Sequence, residues 1–444
     1  RLMVAVVFEG YSGEEQGVRT GDIIVSIEGQ STEEMTSEDA RNLLRGAPGT
    51  TVALEIEREG EPGLLSFVLT RAQIHLNNVT YKGWAGEESD GIGYLRLERF
   101  TEEAGDEVRD AVRELSEEQE LKGFVLDLRG NPGGLLEAAV RVSSTFLPPN
   151  VAVVSMRGRS AGSERNFSTQ GEPLAARVQL VVLVDGSSAS ASEIVAGAIQ
   201  DHDRGVILGE TTFGKGLVQV VRGLPYNTSV KITTAKYYTP SGRLIQAITY
   251  GRNGFGGTAE RIPDSLRNAY QTANGRIVYD GHGIEPDVVV SLGEYSELED
   301  ALTRTAAFFL YANRFAALHE ELPAGFAVDD AVLADFRDFL EEEDFTYQTR
   351  AERMLDELET DLQEADYESA LIDLEDLREE IREEKDLDFE RHAPRLRERL
   401  RQEILARYVG QSDQIRASLD TDPQLARALE ILKNPREYRE ILSP

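Results

Sequence analysis

The stretch VQLVVLVDGSSASASEIVAGAI (residues 178–199) decides the fold class of this chain. Val178–Val184 is a continuous apolar run of strand length, and Glu193–Ile199 is predicted to be helical. An apolar strand followed by a helix is typical of a strand that is buried on both faces of a βα unit. A similar unit precedes it, since Phe124–Leu128 is a predicted strand and Leu135–Phe146 has helical spacing. The sequence therefore predicts an α/β core.

The region before this core has a different pattern. In residues 1–72, short apolar runs alternate with glycine-centred turns. Three strands and one short helix capped by Ser37 are predicted there: Leu2–Phe8, Ile23–Ile27, Thr51–Glu57 and Ser37–Leu44. We assign residues 1–72 to a separate small domain.

The remaining chain divides near residue 300. Residues 73–300 carry the α/β pattern, and two further strands, Val218–Val221 and Val230–Thr234, are predicted toward its end. Residues 301–444 are helical and acidic in character. We therefore predict three domains, with the α/β core in the middle.

Charge and composition restrict the partners. The 80 acidic and 47 basic residues give a net charge of −33, which repels nucleic acid and anionic membranes. Only seven basic residues are lysine, so we expect a protein adapted to high salt; arginine-favouring codon usage with one acidic domain is the alternative. Without cysteine there are no disulfides. No apolar run reaches the roughly 18 residues that a membrane-spanning helix needs.

An acidic segment within the last region keeps a regular apolar stripe. Residues 351–390 hold 18 acidic and four basic residues. Apolar residues recur there every three or four positions: Leu355, Leu358, Leu362, Tyr367, Leu371, Leu374, Leu377 and Ile381. This spacing predicts amphipathic helices with a solvated charged face, packed on the core or on a second subunit.

Three segments could carry chemistry. The turn from Asp185 to Glu193 places small and hydroxyl residues between a strand and a helix, where a serine could act as a nucleophile near free amide groups. A polar turn with a helix cap is the plainer interpretation. Asp127–Gly134 follows a buried strand, and its glycines could direct amide groups into a cleft, although a simple strand-to-helix turn has the same composition.

The third segment is Gly209–Gly216, and it contains Lys215. It fits most of the phosphate-loop pattern, but glycine stands where a hydroxyl should bind magnesium, and a strand pattern follows instead of a helix. We therefore exclude nucleotide binding. An ordinary lysine, with a pKa of about 10.4, is only about 0.1% neutral at pH 7.4. Lys215 is thus either a solvated turn residue or a desolvated general base.

Together these segments resemble a known set of motifs. DLRGNPGG (127–134), SSASASEI (187–194), GETTFGKGLVQ (209–219), TAKYYTPSGR (234–243) and GHGIEPD (281–287) occur in the order found in the carboxyl-terminal processing, or tail-specific, serine peptidases. In addition, GVRTGDIIVSIEGQ (17–30) resembles the later part of a PDZ domain, so the start of that domain is expected to be missing. The likeness covers roughly residues 1–290.

The resemblance implies a serine–lysine dyad. It implies Ser190 as nucleophile, Lys215 as general base and Gln219 as the residue that orients the lysine. It also implies an oxyanion hole from the backbone amide of Ala191 and that of a glycine in the Gly133–Gly134 pair. No metal, nucleotide or other cofactor is required.

Histidine is the rival base. Of the five histidines, His75, His202, His282, His319 and His392, only His202 lies near the serine turn in sequence. At 1.5 Å per helical residue it should lie about 13 Å from Ser190, too far for a hydrogen bond, so it is expected to cap the helix end. Its neighbour Asp201 is a candidate for ordering the site. A histidine-dependent esterase is accordingly a weak alternative.

The predicted protein is an α/β peptidase with a core resembling the crotonase-like (ClpP-like) superhelix, an incomplete N-terminal PDZ-like domain and a C-terminal helical domain. The resemblance implies protein or peptide substrates with apolar C-termini and a periplasmic or envelope location in bacteria. The natural substrate, peptide capture by the PDZ-like domain and oligomeric state stay open, with a homo-oligomer as one alternative. The competing hypothesis is a catalytically latent PDZ-containing scaffold of the same fold.

Overall fold

The computed structural model describes residues 2–444 except residues 9, 75, 160, 161, 227, 251–258, 294 and 324. The chain forms two compact units, each built from two separate stretches. Arg1–His75 and Gly293–Gln414 make the first unit, and Leu76–Leu292 and Ile415–Pro444 make the second. The last thirty residues therefore fold with the α/β core and not with the helices that precede them.

The N-terminal part of the first unit is a small antiparallel sheet with two short helices. Its elements are β1 (Leu2–Met3), α1 (Ser12–Glu15), β2 (Ile23–Ile27), β3 (Gln30–Ser31), α2 (Ser37–Leu44), β4 (Thr51–Glu57) and β5 (Leu64–Thr70). The strand order is β1-β2-β4-β5, with β3 on β2. The alternating pattern of β4 buries Val52, Leu54 and Ile56 on one face.

Two details of this part differ from prediction. Strand β1 covers only Leu2–Met3 of the predicted Leu2–Phe8 strand. The cap of α2 is Thr36, not Ser37, because the Thr36 hydroxyl accepts from the Asp39 amide while the Asp39 carboxylate accepts from the Thr36 amide. This reciprocal capping box moves the helix start by one residue.

The second unit contains the α/β core. Its elements are β6 (Val79–Trp84), β7 (Ile92–Leu97), α3 (Ala104–Glu118), β8 (Gly123–Asp127), α4 (Leu136–Phe146), β9 (Ala152–Gly158), β10 (Arg165–Ser168), β11 (Gln179–Val184), α5 (Ala191–Asp201), β12 (Val206–Gly209), β13 (Leu217–Leu224), β14 (Thr228–Tyr238), β15 (Ile248–Tyr250), β16 (Ala259–Arg261), β17 (Ala269–Gln271), β18 (Ile277–Tyr279) and β19 (Val288–Val289). Short 3₁₀ turns lie at Glu88–Asp90 and Asp264–Leu266.

A six-stranded sheet organises this unit, in the order β19-β12-β11-β8-β7-β6. All neighbours are parallel except β6 and β7. Both faces are covered, because alternate residues of β11 point into two different apolar clusters: Leu180 and Val182 into one, Val181 and Leu183 into the other. The α/β prediction is confirmed, and the carboxyl ends of β8 and β11 lie side by side.

A second sheet has the order β10-β9-β14-β13. Strand β14 pairs with β13 over residues 228–236 and with β9 over residues 235–238. Consequently the loop that holds Lys215, which enters β13, is anchored at the edge of this sheet.

The rest of the chain is helical. Its helices are α6 (Glu297–Arg304), α7 (Ala307–Leu318), α8 (Asp330–Glu342), α9 (Arg350–Glu364), α10 (Glu368–Asp386), α11 (Asp388–Arg391), α12 (Ala393–Leu405), α13 (Gln411–Leu419), α14 (Pro423–Lys433) and α15 (Pro435–Ile441). Tyr311, Phe336 and Leu400 form the centre of one apolar cluster of these helices. Within the described chain, no helix is both long and apolar enough to cross a bilayer.

Helices α9 and α10 cover the acidic segment for which the stripe predicts amphipathic helices, and they pack on each other as an acidic hairpin. The prediction that the whole stripe is packed is only partly right: Leu355 and Leu374 are buried, but Leu358 and Leu377 are 45% and 44% exposed. Arg378 instead joins the two helices through Asp356 and Glu359. Ion pairs therefore replace part of the expected apolar contact.

Candidate active site

Ser190 occupies the sharp turn between β11 and α5. Its backbone has φ 56° and ψ −107°, immediately before the first residue of the helix. A residue with a Cβ adopts such a positive φ only at a cost in free energy, and conformations of this kind cluster at functional sites. The turn thus presents one serine in a conformation that the surrounding hydrogen bonds must hold.

The loop after β8 lies directly against this turn. The Asn131 carbonyl accepts from the Ala189 amide at 3.0 Å and from Ser192 Oγ at 2.9 Å. The Asn131 side chain donates to the Leu97 carbonyl and accepts from the Gly133 amide, at 2.7 and 2.8 Å. The motif between Asp127 and Gly134 therefore forms one hydrogen-bonded body with the serine turn.

Glycine is required at the point of contact. A Cβ on Gly133, which has φ +96°, would stand 2.5 Å from the Ala189 carbonyl oxygen and 2.8 Å from the Ala191 nitrogen. Both the backbone conformation and the close approach exclude any larger residue.

Two backbone amides remain as candidates for an oxyanion hole. The Gly133 amide is occupied by Asn131, but the amides of Gly134 and Ala191 have no acceptor among the described residues. Ala191 is the first residue of α5, where helical amides lack an intrahelical partner. Of the predicted glycine pair, Gly134 is thus the residue whose N–H can bind a ligand.

Glu193 connects the serine turn to the lysine loop. Its Oε2 accepts from the Ser190 amide at 2.8 Å and the Lys215 amide at 2.9 Å. Its Oε1 accepts from Thr212 Oγ1 at 2.6 Å and the Gly214 amide at 2.7 Å. Burial raises the pKa of this fully buried carboxyl, and the four hydrogen bonds oppose that rise. These bonds also occupy the loop amides that a phosphate would need.

No role for Glu193 was predicted from the sequence, although it lies within the quoted motif. A serine followed three residues later by glutamate, before an apolar run, is a capping-box pattern. That pattern could have predicted the contact of Glu193 with the Ser190 amide. The contacts with the lysine loop have no such local signal.

Lys215 and Gln219 are both exposed. No hydrogen bond joins Lys215 Nζ to Ser190 Oγ or to Gln219 in the part of the chain that the structure describes. Gln219 pairs with Thr233 of β14, next to an irregularity in the strand register at Val218. The structure thus brings the backbones of Ser190 and Lys215 together but leaves the lysine side chain in solvent.

Asp201 and His202 lie at the other end of α5. The buried Asp201 carboxylate accepts from the Ser241 amide and from Arg243, both at 2.9 Å. His202 is the C-cap of α5, as predicted, and its Nε2 lies 2.7 Å from the Ala152 carbonyl oxygen. Among the described residues, no side-chain hydrogen bond joins Asp201 to the serine turn or to the lysine loop, and its role in ordering the site stays a prediction.

Asp127 and Arg129 form a buried ion pair at the start of the loop, with Nη2 and Oδ2 2.6 Å apart. Burial would raise the pKa of Asp127, but the Arg129 charge overcomes this and lowers it. Tyr94 adds a hydrogen bond of 2.5 Å to the same carboxylate. An internal charge is thereby stabilised next to the candidate oxyanion loop.

Comparison with known proteins accounts for this architecture. The chain matches the family models for peptidase family S41 over residues 91–252, a PDZ domain over residues 3–58, and the C-terminal helical domain of probable PDZ-proteases over residues 298–432. Residues 91–252 therefore form a peptidase family S41 domain. The chain joins the S41 peptidase domain to an N-terminal PDZ domain and a C-terminal helical domain, as predicted.

Its relatives carry a more specific name. It is 42% identical over 235 residues to a carboxy-terminal-processing protease of Bartonella bacilliformis, covering 52% of this chain and 53% of that protein. It is 38% identical to a carboxyl-terminal-processing protease of Synechocystis sp., covering 54% and 55%. The chain therefore spans about half the length of these relatives. A solved photosystem II D1 C-terminal processing protease is 30% identical, with a TM-score of 0.37 and coverage of 65% and 68%.

Proposed function

We propose that this chain is a serine endopeptidase that cleaves proteins near their C-terminal tails, with Ser190 as nucleophile and Lys215 as general base. One observation carries the proposal: a single carboxylate oxygen of Glu193 binds the amides of both residues, at 2.8 and 2.9 Å. This contact couples the position of the lysine loop to that of the strained serine turn. The names of the relatives support the substrate class.

The acylation step uses four groups. Neutral Lys215 Nζ takes the proton of Ser190 Oγ while the Oγ–carbon bond forms at the scissile carbonyl. The carbonyl oxygen gains the negative charge and is stabilised by the amides of Gly134 and Ala191. Collapse breaks the carbon–nitrogen bond, and the lysine ammonium returns its proton to the leaving amine.

Deacylation repeats the sequence with water. Lys215 takes a proton from water, the resulting oxygen attacks the acyl carbon, and Ser190 leaves with the proton from the ammonium. The acid product and the free hydroxyl restore the starting state. No other group is needed to balance either step.

The exposure of Lys215 has a consequence for this mechanism. An ammonium group has no lone pair with which to accept a proton, and water stabilises this charged form of lysine. We therefore propose that the bound polypeptide covers Lys215 and excludes water from it. Gln219 would then orient the amine from β13. Substrates with apolar C-terminal tails fit this requirement, because apolar residues desolvate the amine without pairing with its charge.

The setting and assembly are part of the same proposal. We propose a location in the bacterial periplasm or envelope, capture of substrate tails with the help of the PDZ domain, and a homo-oligomer as the working form. These proposals rest on the S41 peptidase and PDZ domains of the chain and on its named relatives.

Labelling with a fluorophosphonate probe, followed by mapping of the adduct, tests the proposal. We expect the adduct at Ser190 alone. The neighbouring hydroxyls are buried and occupied, since Ser188 Oγ donates to the Leu128 carbonyl and Ser192 Oγ to the Asn131 carbonyl, both at 2.9 Å. An adduct on Ser188 or Ser192, or equal labelling of a Ser190→Ala variant, would contradict the proposed nucleophile.

The second candidate function is a latent scaffold of the same fold. The exposed Lys215 side chain, which has no hydrogen bond to Ser190 in the described structure, favours it. The two functions differ in one result. A scaffold would bind C-terminal peptides, but it would not be labelled by the fluorophosphonate probe and would not hydrolyse the peptides. The proposed peptidase would be labelled at Ser190 and would hydrolyse them.

A further inference from the structure

The candidate oxyanion loop is held by a residue far away in sequence. Arg129 begins this loop, and its side chain is only 13% exposed. Its Nη2 lies 2.6 Å from Asp127 Oδ2 and 2.6 Å from Asp422 Oδ2. Its Nη1 donates to Gln424 Oε1 at 3.0 Å. Two of these three partner side chains, Asp422 and Gln424, therefore come from the C-terminal stretch Ile415–Pro444.

This C-terminal stretch is part of the core. Leu425, Ala428 and Ile431 of α14 are buried against Val181 and Leu183 of β11 and their neighbours. In α15, Tyr438 Oη accepts from the Leu180 amide at 3.0 Å. Gln424 is fully buried, and its Nε2 donates to the Val290 carbonyl at 2.6 Å. Asp422 thus projects from a fixed support.

We infer that Asp422 is a positioning residue for the reaction, acting through Arg129 on the loop that carries the Gly134 amide. This inference rests on the proposed function, since it concerns the same site. Asp127 lies in the motif itself, whereas Asp422 lies 293 residues after Arg129 in the chain. The C-terminal stretch therefore completes the site that the α/β core builds.

The charges explain why Asp422 is needed. Burial would lower the pKa of Arg129, but the charges of Asp127 and Asp422 more than compensate and raise it well above its usual range. A charge removed from water must be paired and hydrogen-bonded to be tolerated. Without the Asp422 charge, Arg129 would keep Asp127 as its one ionic partner among the described residues and could turn toward solvent.

A shift of Arg129 would reach the active site directly. Its neighbour Gly130 donates its amide to Asp185, at 3.0 and 3.1 Å from the two carboxylate oxygens. Asp185 also accepts from the Ser187 and Ser188 amides at 2.9 Å. Displacement of the loop would therefore disturb both the oxyanion amide and the serine turn, and errors of about 1 Å in such geometry can cost about 10²-fold in rate.

Besides its ion pair with Arg129, Asp422 caps helix α14, and an experiment must distinguish the two roles. Its Oδ1 accepts from the Gln424 and Leu425 amides, at 2.9 and 3.0 Å, and so caps α14. Asparagine caps helices as well as aspartate does but carries no charge. Glutamate keeps the charge but is a poor cap. The pair Asp422→Asn and Asp422→Glu therefore distinguishes positioning of Arg129 from capping.

The experiment measures two properties of the full chain. One is the rate of fluorophosphonate labelling at Ser190, and the other is amide hydrogen exchange in a peptide covering residues 129–135. We expect Asp422→Asn to lower the labelling rate about tenfold or more and to speed exchange in that peptide. Asp422→Glu should keep both within about threefold of the wild type. Asp329→Asn is the matched control, because Asp329 caps α8 through one oxygen and has no arginine partner among the described residues.

The outcomes are separable. A folded Asp422→Asn variant with unchanged labelling, or with unchanged exchange in residues 129–135, would overturn the inference. So would the reverse pattern, in which only Asp422→Glu is impaired, because that pattern indicates capping alone. If Asp422→Asn fails to fold, a folded but unlabelled Asp422→Glu overturns it and normal labelling of that variant supports it. Absence of labelling in the wild type contradicts the proposed function itself, while the exchange comparison still tests the loop.

Discussion

Ser190 and Lys215 are joined through one oxygen atom, because their backbone amides donate to Glu193 Oε2 at 2.8 and 2.9 Å. Ser190 and Lys215 lie 25 residues apart in the sequence. The serine turn leads from β11 into α5, whereas the lysine loop leads from β12 of the six-stranded sheet into β13 of the second sheet. The buried carboxylate of Glu193 accepts four hydrogen bonds and so fixes the serine turn and the lysine loop relative to each other. The position of Ser190 relative to Lys215 therefore depends on Glu193.

Glu193→Gln should damage both the fold and the site. A glutamine has one oxygen for acceptance, and its NH₂ group would face two of the four donors. Each buried donor left without an acceptor costs about 1–3 kcal/mol. We expect a lower melting temperature and a labelling rate at Ser190 reduced at least tenfold.

Glu299→Gln is the control for this substitution, since Glu299 is also a buried capping-box glutamate, on Ser296 in the first unit. It should affect melting without affecting the labelling rate measured below the melting transition. Equal labelling of Glu193→Gln and wild type would show that the bridge does not position the site.

Asp127→Asn should change how the free energy of unfolding depends on pH in the acid range. The pKa of Asp127 is lower in the folded chain than its ordinary value of 3.8, because Arg129 outweighs burial. The stabilisation by its charge is therefore complete above that value and is lost as the pH falls through the lowered pKa. At pH 7 the variant should be less stable by about 1–3 kcal/mol.

The difference in the free energy of unfolding between Asp127→Asn and the wild type should become smaller below pH 3.8, since Asp127 of the wild type is then progressively protonated and loses its charge. Denaturant unfolding of both proteins at several pH values between about 2.5 and about 7, which includes the range where carboxylates titrate, measures this difference. A difference that does not depend on pH would mean that the cost arises from packing and not from the Asp127–Arg129 pair.

Salt should stabilise the chain. At a net charge of −33, repulsion among surface carboxylates opposes folding, and ions at 1 M screen it over about 3 Å. We expect a higher melting temperature in about 2 M NaCl than in about 0.05 M NaCl. An equal or lower value at the higher concentration would remove the argument for adaptation to a saline environment.

The acidic hairpin and the C-terminal stretch should respond differently to deletion. The ends of α9–α10 lie close together, because Tyr347 Oη donates to Asp388 Oδ2 at 2.8 Å. Replacing residues 350–386 by a short glycine–serine linker should leave the core melting transition unchanged. Removing residues 415–444 should expose the apolar face of β11 and give insoluble protein.

Calorimetry and sedimentation of the two deletions check this expectation. A soluble, cooperatively folded chain without residues 415–444 would contradict the packing of that stretch against the core. Loss of the core transition on removal of the hairpin would show instead that α9 and α10 support the rest of the chain.

Local patterns were sufficient for much of the fold. The alternation in Thr51–Glu57 and the apolar run ending at Val184 predicted strands with nearly the observed bounds, because their side chains reflect burial on one or two faces. The turn at Ser190 was also predictable, since small and polar residues separate an apolar strand from a helical segment, although a helix cap was the plainer interpretation of its hydroxyls. The domain boundaries at residues 72 and 300 and the catalytic roles stay predictions.

The contacts that complete the site were not predictable in this way. Glu193 reaches the lysine loop 22 residues later, and Arg129 meets Asp422 after a separation of 293 residues. Periodicity carries no information on such pairs, because they are set by how the sheets and helices pack. The same limit applies to Leu358 and Leu377, whose spacing indicates a buried stripe although both are substantially exposed.

The most direct test of the serine–lysine mechanism is the labelling rate at Ser190 in a folded Lys215→Arg variant. Arginine preserves charge and nearly preserves length, but its guanidinium does not deprotonate at any useful pH. General-base catalysis is typically worth about 10²–10⁴-fold, so we expect the rate to fall at least a hundredfold while the melting temperature changes little. A folded Lys215→Arg chain that keeps more than about a tenth of the wild-type rate would contradict Lys215 as the base.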